Sequence, residues 1–357
     1  MVLKASEIAL LTLLGACMTL SPASAQDTAS RESAAQALYD QARAQLPNRE
    51  ALRETLDRAI AADPDFAPAY ALKADSYAQS IGTAVARSTD LSLARDFDSK
   101  AIANANKAIA LDPSLAEAYT ALGLAHRQFW RWSEALAAYR RAYELTPQDP
   151  TALFNWIWFN TFAGRFDEAI AVAHHQVELY PERASAHRDL GIAEAYAGQP
   201  APASAALEDC IARDAKITIC HIYYAFMQIR LGHDDTAVAE LEKAESLLGA
   251  DPTPAALSSV AHGYFRAGRR DEARRLFKQL QMKESGGVVG AGSWPLGYLA
   301  IGDEAQAYRW LDRAVSKIER HEPDEGFFNL MIIKANVVAN PVLEEPRFKE
   351  LRQRIGN

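Results

Sequence analysis

The sequence predicts an all-α protein, a solenoid of stacked helix pairs, on three periodic observations. Ala101, Ala135, Ala169, Ala203 and Ala237 stand 34 residues apart, with Ala273 following after 36 and Ala307 after a further 34. Gly164, Gly198, Gly232, Gly268 and Gly302 keep the same interval, and so do Pro113, Pro147 and Pro181. A period of this length marks a repeated supersecondary unit that cannot bury its apolar face alone and must stack on copies of itself. The alanines let two helix backbones approach, the glycines mark a turn that needs positive φ, and the prolines stop the second helix of each pair. Apolar residues make up 49% of the chain, which suits closely packed helices rather than disorder.

Residues 116–149 form the clearest unit, with Tyr119, Leu122, Gly123, Ala135, Tyr139, Ala142 and Pro147 at positions 4, 7, 8, 20, 24, 27 and 32. Gly123 and Ala135 are small where the two helices meet, while Leu122 and Tyr139 fill the seam. This pattern resembles the tetratricopeptide repeat (TPR), which implies antiparallel helix pairs wound into a right-handed α-solenoid. The same register gives about eight units: 33–66, 67–115, 116–149, 150–183, 184–217, 218–253, 254–287 and 288–321. The first is degenerate, as a terminal repeat should be. In the second, the alanine due at 86 falls at Ala101, so 15 residues are inserted. They read as a loop, capped by Ser88, Thr89 and Asp90, that runs into a lengthened second helix. The eighth is interrupted by a glycine cluster at 286–295, read as a flexible connector, and Pro295 predicts that its first helix is short. Residues 322–357 leave the repeat and are expected to form a C-terminal cap.

Residues 1–25 read as an export signal: Lys4 precedes an apolar run of about 13 residues and the end is small at Ala23, Ser24 and Ala25. That run is shorter than the roughly 18–20 residues a membrane helix needs. Cleavage after Ala25 would leave a mature chain starting at Gln26, with 26–32 as a linker and a periplasmic or secreted location. Leu14, Gly15, Ala16 and Cys17 also look like a lipobox, which would instead anchor the chain through a lipidated Cys17. Beyond the signal, Cys210 and Cys220 fall at sites that pack together in stacked repeats. Two readings stay open for them, a disulfide permitted by an oxidising compartment or two small buried fillers.

No catalytic motif is present. The adjacent His174 and His175 face different directions on a helix, so with Glu178 they read as plain helix surface, and neither metal nor cofactor is expected. The glycine cluster lacks the Lys and Ser/Thr of a phosphate-binding loop. Acidic pairs such as Asp167-Glu168 sit where helix starts favour them rather than as acid/base couples. The net charge of −8 argues against a nucleic-acid partner.

The segments FWRWSEALAAYRRA (129–142), GRFDEAIA (164–171) and NPVLEEPRFKELRQRIG (340–356) resemble the TPR arrays that follow winged-helix or nucleotide-cyclase domains in bacterial signalling proteins. Here an export signal stands in place of an output domain, so the resemblance implies only the scaffold role. It further implies that positions 2, 5, 9, 12 and 13 of each first helix line a concave groove. Those positions give Arg127, Phe154, Trp158, Phe162, Arg188, Tyr196, Phe226, Arg230, His262 and Arg266, with Ile222, Ile229 and Phe265 among them. Arginine with aromatics is the composition of interface anchors. The Lys and Asn clamp that some TPR proteins use for a chain end is absent. The expected partner is therefore an apolar or acidic protein segment, from an envelope component. The alternative function is an exported enzyme or small-ligand receptor using the same groove.

Overall fold

The computed structural model describes residues 22–46, 48–87, 90–286, 289–324 and 326–355. Residues 1–21 of the signal, with its lipobox alternative at Cys17, and Ser88 and Thr89 of the expected cap lie outside the described residues, while the end of the signal at 22–25 belongs to α1. Among the described residues there are eighteen α-helices and no strand. The first four pairs are α1 (Pro22–Arg43) with α2 (Arg49–Ala62), α3 (Ala67–Arg87) with α4 (Ser92–Leu111), α5 (Ala116–Gln128) with α6 (Trp132–Leu145), and α7 (Pro150–Phe162) with α8 (Phe166–Leu179). The next four are α9 (Ala184–Tyr196) with α10 (Pro200–Arg213), α11 (Thr218–Leu231) with α12 (Asp234–Leu247), α13 (Pro254–Arg266) with α14 (Arg270–Gly286), and α15 (Trp294–Leu299) with α16 (Glu304–Glu319). Two helices follow the repeat, α17 (Phe327–Ala335) and α18 (Pro346–Arg354). This is the predicted all-α solenoid.

The periodic residues do what their chemistry suggests. Alanines at position 20, from Ala101 to Ala307, are fully buried between helices. Gly123 faces the Tyr139 ring so closely that an added Cβ would lie 2.7 Å from it. The turn glycines all have positive φ, between 76° and 80°. Trp130 occupies the same turn position in the third unit and holds φ at 59°, a conformation that costs an L-residue roughly 1–2 kcal/mol.

Four expectations change. The stretch 26–32, expected as a linker, is the first part of α1. The 15-residue insertion does lengthen the second helix of its pair, to 20 residues, but much of what was expected as a loop instead extends the first helix, to 21. Their extended ends are fixed by a cluster of Ile81, Ala84, Val85 and Ala94 with Phe129, which removes apolar surface that a loop would leave in water. Asp90 accepts from the backbone N–H and hydroxyl of Ser92, while Leu91 takes the N-cap position. The glycine cluster is not a free connector either. Gly290, Ala291, Gly292 and Ser293 are buried, and a Cβ on Gly292 would meet the Gly326 carbonyl oxygen at 2.7 Å. Finally, the tail does more than cap the end. After α16 the chain turns back, and α17 lies across the first helices of earlier pairs before α18 packs on α16.

Asp324 fixes that return. Its carboxylate accepts backbone N–H bonds from Ala291 (3.0 Å), Gly292 (2.9 Å) and Gly326 (2.8 Å) and pairs with Lys317 at 2.9 Å. Three N–H donors and an ammonium compensate for burying the charge. Further on, Arg352 donates to the backbone oxygens of Lys334 and Leu343, and Asn336 donates to Asn340 and Glu344.

Candidate functional site, a groove in two states

The aromatic and arginine floor read from the sequence is present on the first helices, and the chain's own tail covers it. Phe162 packs edge-on against Phe327, with centroids 5.4 Å apart, and touches Phe328 at 6.0 Å. Trp158 is 6% exposed; it meets Phe328 in a T-shaped contact at 5.7 Å, and its indole N–H donates to Asp189 at 2.7 Å. The Arg127 guanidinium lies over the Phe327 ring at 5.3 Å. Arg230 donates from Nη1 to the carbonyls of Asn336 and Val337 at 3.4 and 3.3 Å. His262 is fully buried and meets the Asn340 amide through Nε2 at 3.4 Å. Burial, with Arg266 beside it, pulls the His262 imidazole down to about 3, so the ring is neutral at physiological pH.

The remaining expected residues are placed less directly under the tail. Phe226 is fully buried in the solenoid core. Tyr196 shares a 3.1 Å hydrogen bond with the Tyr223 hydroxyl, and burial pushes both phenols up. Arg188 donates from Nε to Asp189 at 2.9 Å and lies over the ring of the half-buried Phe154 at 5.3 Å. Burial pushes the Asp189 carboxyl up, with Arg188 and the Trp158 N–H pulling against it. Arg266 is half-buried and its burial lowers the guanidinium.

The expectation of a floor open to a partner is therefore corrected for this part of the groove. Large rings at positions 9 and 13 cannot face water cheaply, since apolar surface costs about 25 cal/mol per Å² exposed. The tail supplies the cover as Phe327, Phe328 and the apolar run that follows them.

Sequence reasoning missed the residues that hold the tail. Trp130 donates from its indole N–H to the Glu322 carbonyl at 3.0 Å and packs on Phe327 at 5.1 Å. Asn329 sits between Ser258 and Ser259, donating to one hydroxyl at 2.6 Å and accepting from the other at 2.9 Å. Lys334 reaches the Phe162 carbonyl at 3.4 Å. The available signal was Trp130 itself, which stands one period before Gly164 where the ladder would place a glycine.

Nearer the N-terminus the same face is open. A cleft of about 500 Å³ is lined by Pro68, Ala71, Asp75 and Gln79 of α3, Glu117 and Thr120 of α5, and Thr151 of α7, with Gln36 and Tyr39 of α1 closing one side. These α3, α5 and α7 residues stand at positions 2, 5, 9 and 13 of their units, the same face that is covered further along. Glu178 is exposed and His175 half-buried, 3.7 Å apart. Among the described residues no three His, Cys, Asp or Glu side chains are grouped to hold a metal. Cys210 and Cys220 form a disulfide, with Cα atoms 6.4 Å apart, that ties α10 to α11.

A sequence profile for the tetratricopeptide repeat matches residues 116–149. One TPR unit is thus identified in the sequence, and the eight stacked helix pairs repeat its fold along the chain. No curated protein sequence matches it. Among solved structures, the APC/C hetero-tetramer Cut9-Hcn1 is similar over 86% of this chain and 52% of that one, at 16% identity and a TM-score of 0.53. PilW, a type IV pilus biogenesis factor, is similar over 59% of this chain and 92% of its own, at 19% identity and a TM-score of 0.48. A thermophilic TPR protein from Thermus thermophilus covers 47% of this chain and 91% of its own, at 24% identity and a TM-score of 0.43.

Proposed function

We propose that the protein is an exported, non-enzymatic scaffold that holds a protein or peptide segment in the open cleft between α1, α3 and α5. The observation that carries this reading is the division of the inner face: one part is covered by the chain's own tail, and the part left open is a 500 Å³ cleft on the positions that face a solenoid's interior. A solenoid presents such surfaces for extended partners, and nothing among the described residues is arranged for covalent chemistry. Export is supported by the signal-like residues 1–25 and by the disulfide, a bond that persists in oxidising compartments. No helix among the described residues is long and apolar enough to cross a membrane.

The test is capture of a defined protein from an envelope extract by the wild-type chain and by a Glu117→Arg, Thr120→Arg variant checked for unchanged melting. Loss of that protein with the variant is the expected result, and undiminished capture would place the partner elsewhere. Mass spectrometry of the N-terminus should find Gln26 first, and an acylated Cys17 would replace the soluble form with a lipoprotein.

A further inference from the structure

The open cleft has one sign of charge. Asp75 of α3, Glu117 of α5 and Asp149 at the start of α7 all line it, and among the described residues no lysine or arginine does. Between them the floor is apolar, made of Ala71, Leu72 and Leu115. Low-dielectric walls concentrate the field of such carboxylates.

The three carboxylates are not equally engaged. Asp149 spends Oδ1 on the backbone N–H groups of Thr151 and Ala152 as the N-cap of α7. Glu117 is exposed; the Tyr39 phenol across the cleft is pushed up by burial first, with the Glu117 charge adding to it. Asp75 accepts a 2.6 Å hydrogen bond from the Gln79 amide, whose oxygen in turn accepts from Arg49 at 2.8 Å. That one neutral donor and the more distant Arg49 only partly offset the burial of Asp75, which pushes its carboxyl up. A desolvated carboxylate without a direct cationic partner gains most from a cation supplied by a ligand.

The covered part of the face differs in bearing arginines, with Arg127 and Arg230 at the tail's contacts and Arg188 paired to Asp189. Resting on the reading of the cleft as a partner site, we infer that its occupant is an extended peptide segment bearing a lysine or arginine beside an apolar residue. The cation would lie between Asp75 and Glu117, and the apolar side chain would cover Ala71 and Leu115.

The experiment selects dodecapeptides from a random display library on the full mature chain and measures synthetic copies by fluorescence anisotropy. Enrichment of Lys or Arg is expected, with affinity falling about tenfold or more in Asp75→Asn, Glu117→Gln and falling with added salt. Thr120→Arg should abolish binding. Neutral or acidic peptides that Thr120→Arg abolishes but the carboxylate variant leaves unchanged would overturn the charge inference while the cleft remains the partner site. If no selected peptide responds to Thr120→Arg, both readings fall.

Discussion

The two ends of the inner face are built from one repeat and reach opposite states. Toward the N-terminus, α3, α4 and α5 meet through small separate groups, Ala71 with Ala108 and Ala118, Ala74 with Ala105 and Ala121, Ala78 with Ala101 and Ala125. From Leu153 onward, with Trp130 joined to it, one large core runs through the later pairs and takes in Leu330, Ile333, Val337 and Leu351 of the tail, while Ala135, Tyr139, Trp156 and Phe159 form a group of their own. The difference lies in what each unit places at its inner positions. Pro68, Ala71, Asp75, Glu117 and Thr120 are small or polar and tolerate water, whereas Phe154, Trp158 and Phe162 demand an apolar cover. A repeat thus decides by side-chain size where its groove stays available.

Four substitutions or treatments probe that division, in order of expected effect. Gly326→Ala strikes the covered part hardest, because the new Cβ would lie 2.3 Å from the backbone of Gly292 and Ser293. A loss of roughly 3 kcal/mol in urea unfolding is expected, and a loss under about 1 kcal/mol would mean that the tail is not held there. Reducing the Cys210–Cys220 disulfide, which closes a sequence separation of 10, should cost roughly 2–3 kcal/mol. Thermal melting with and without reductant measures it, and α3 to α5 should keep their protection.

Glu194 on α9 adds a pH dependence of stability. It is buried, its Oε2 has no hydrogen-bond partner, and burial pushes the carboxyl up to about 7 from 4.5. Below pH 4.5 the folded and unfolded chains both hold the proton. Between 4.5 and 7 the unfolded chain releases it first, so stability falls as pH rises through that window and stays lower above it. Glu194→Gln should therefore gain on the order of 2 kcal/mol at pH 8 and little at pH 4, read as the difference in urea midpoints. The smallest effect belongs to Ala339, which holds φ at 52° in the returning segment. Ala339→Gly should raise stability by about 0.5–1 kcal/mol, and a loss instead would show that the alanine methyl contributes packing there.

Much of this molecule is legible in its sequence because the repeat writes the same chemistry at fixed intervals. Ala135, Gly164 and Pro147 gave the helix pairs and their register, and the inner-face positions singled out Trp158, Phe162 and Arg230, which the tail contacts. What covers that floor was not legible. Trp130 and Glu322 are 192 residues apart and Lys334 and Phe162 are 172 apart, and such contacts leave no period to read. The tail also breaks the repeat, so its apolar run at 327–338 could be assigned to a cap but not to a place. The open cleft was overlooked for the converse reason, since Asp75, Glu117 and Thr120 look like ordinary helix surface until α1 closes one side.

Amide hydrogen exchange on the mature chain tests the division most directly. Tail packing over the aromatic floor predicts that amides in α17, from Phe327 to Ala335, exchange only on global unfolding, together with those of α7, α11 and α13. Exchange of α17 within seconds, while α9 to α13 stay protected, would mean that the tail is not the cover and that the aromatic floor is free for a partner.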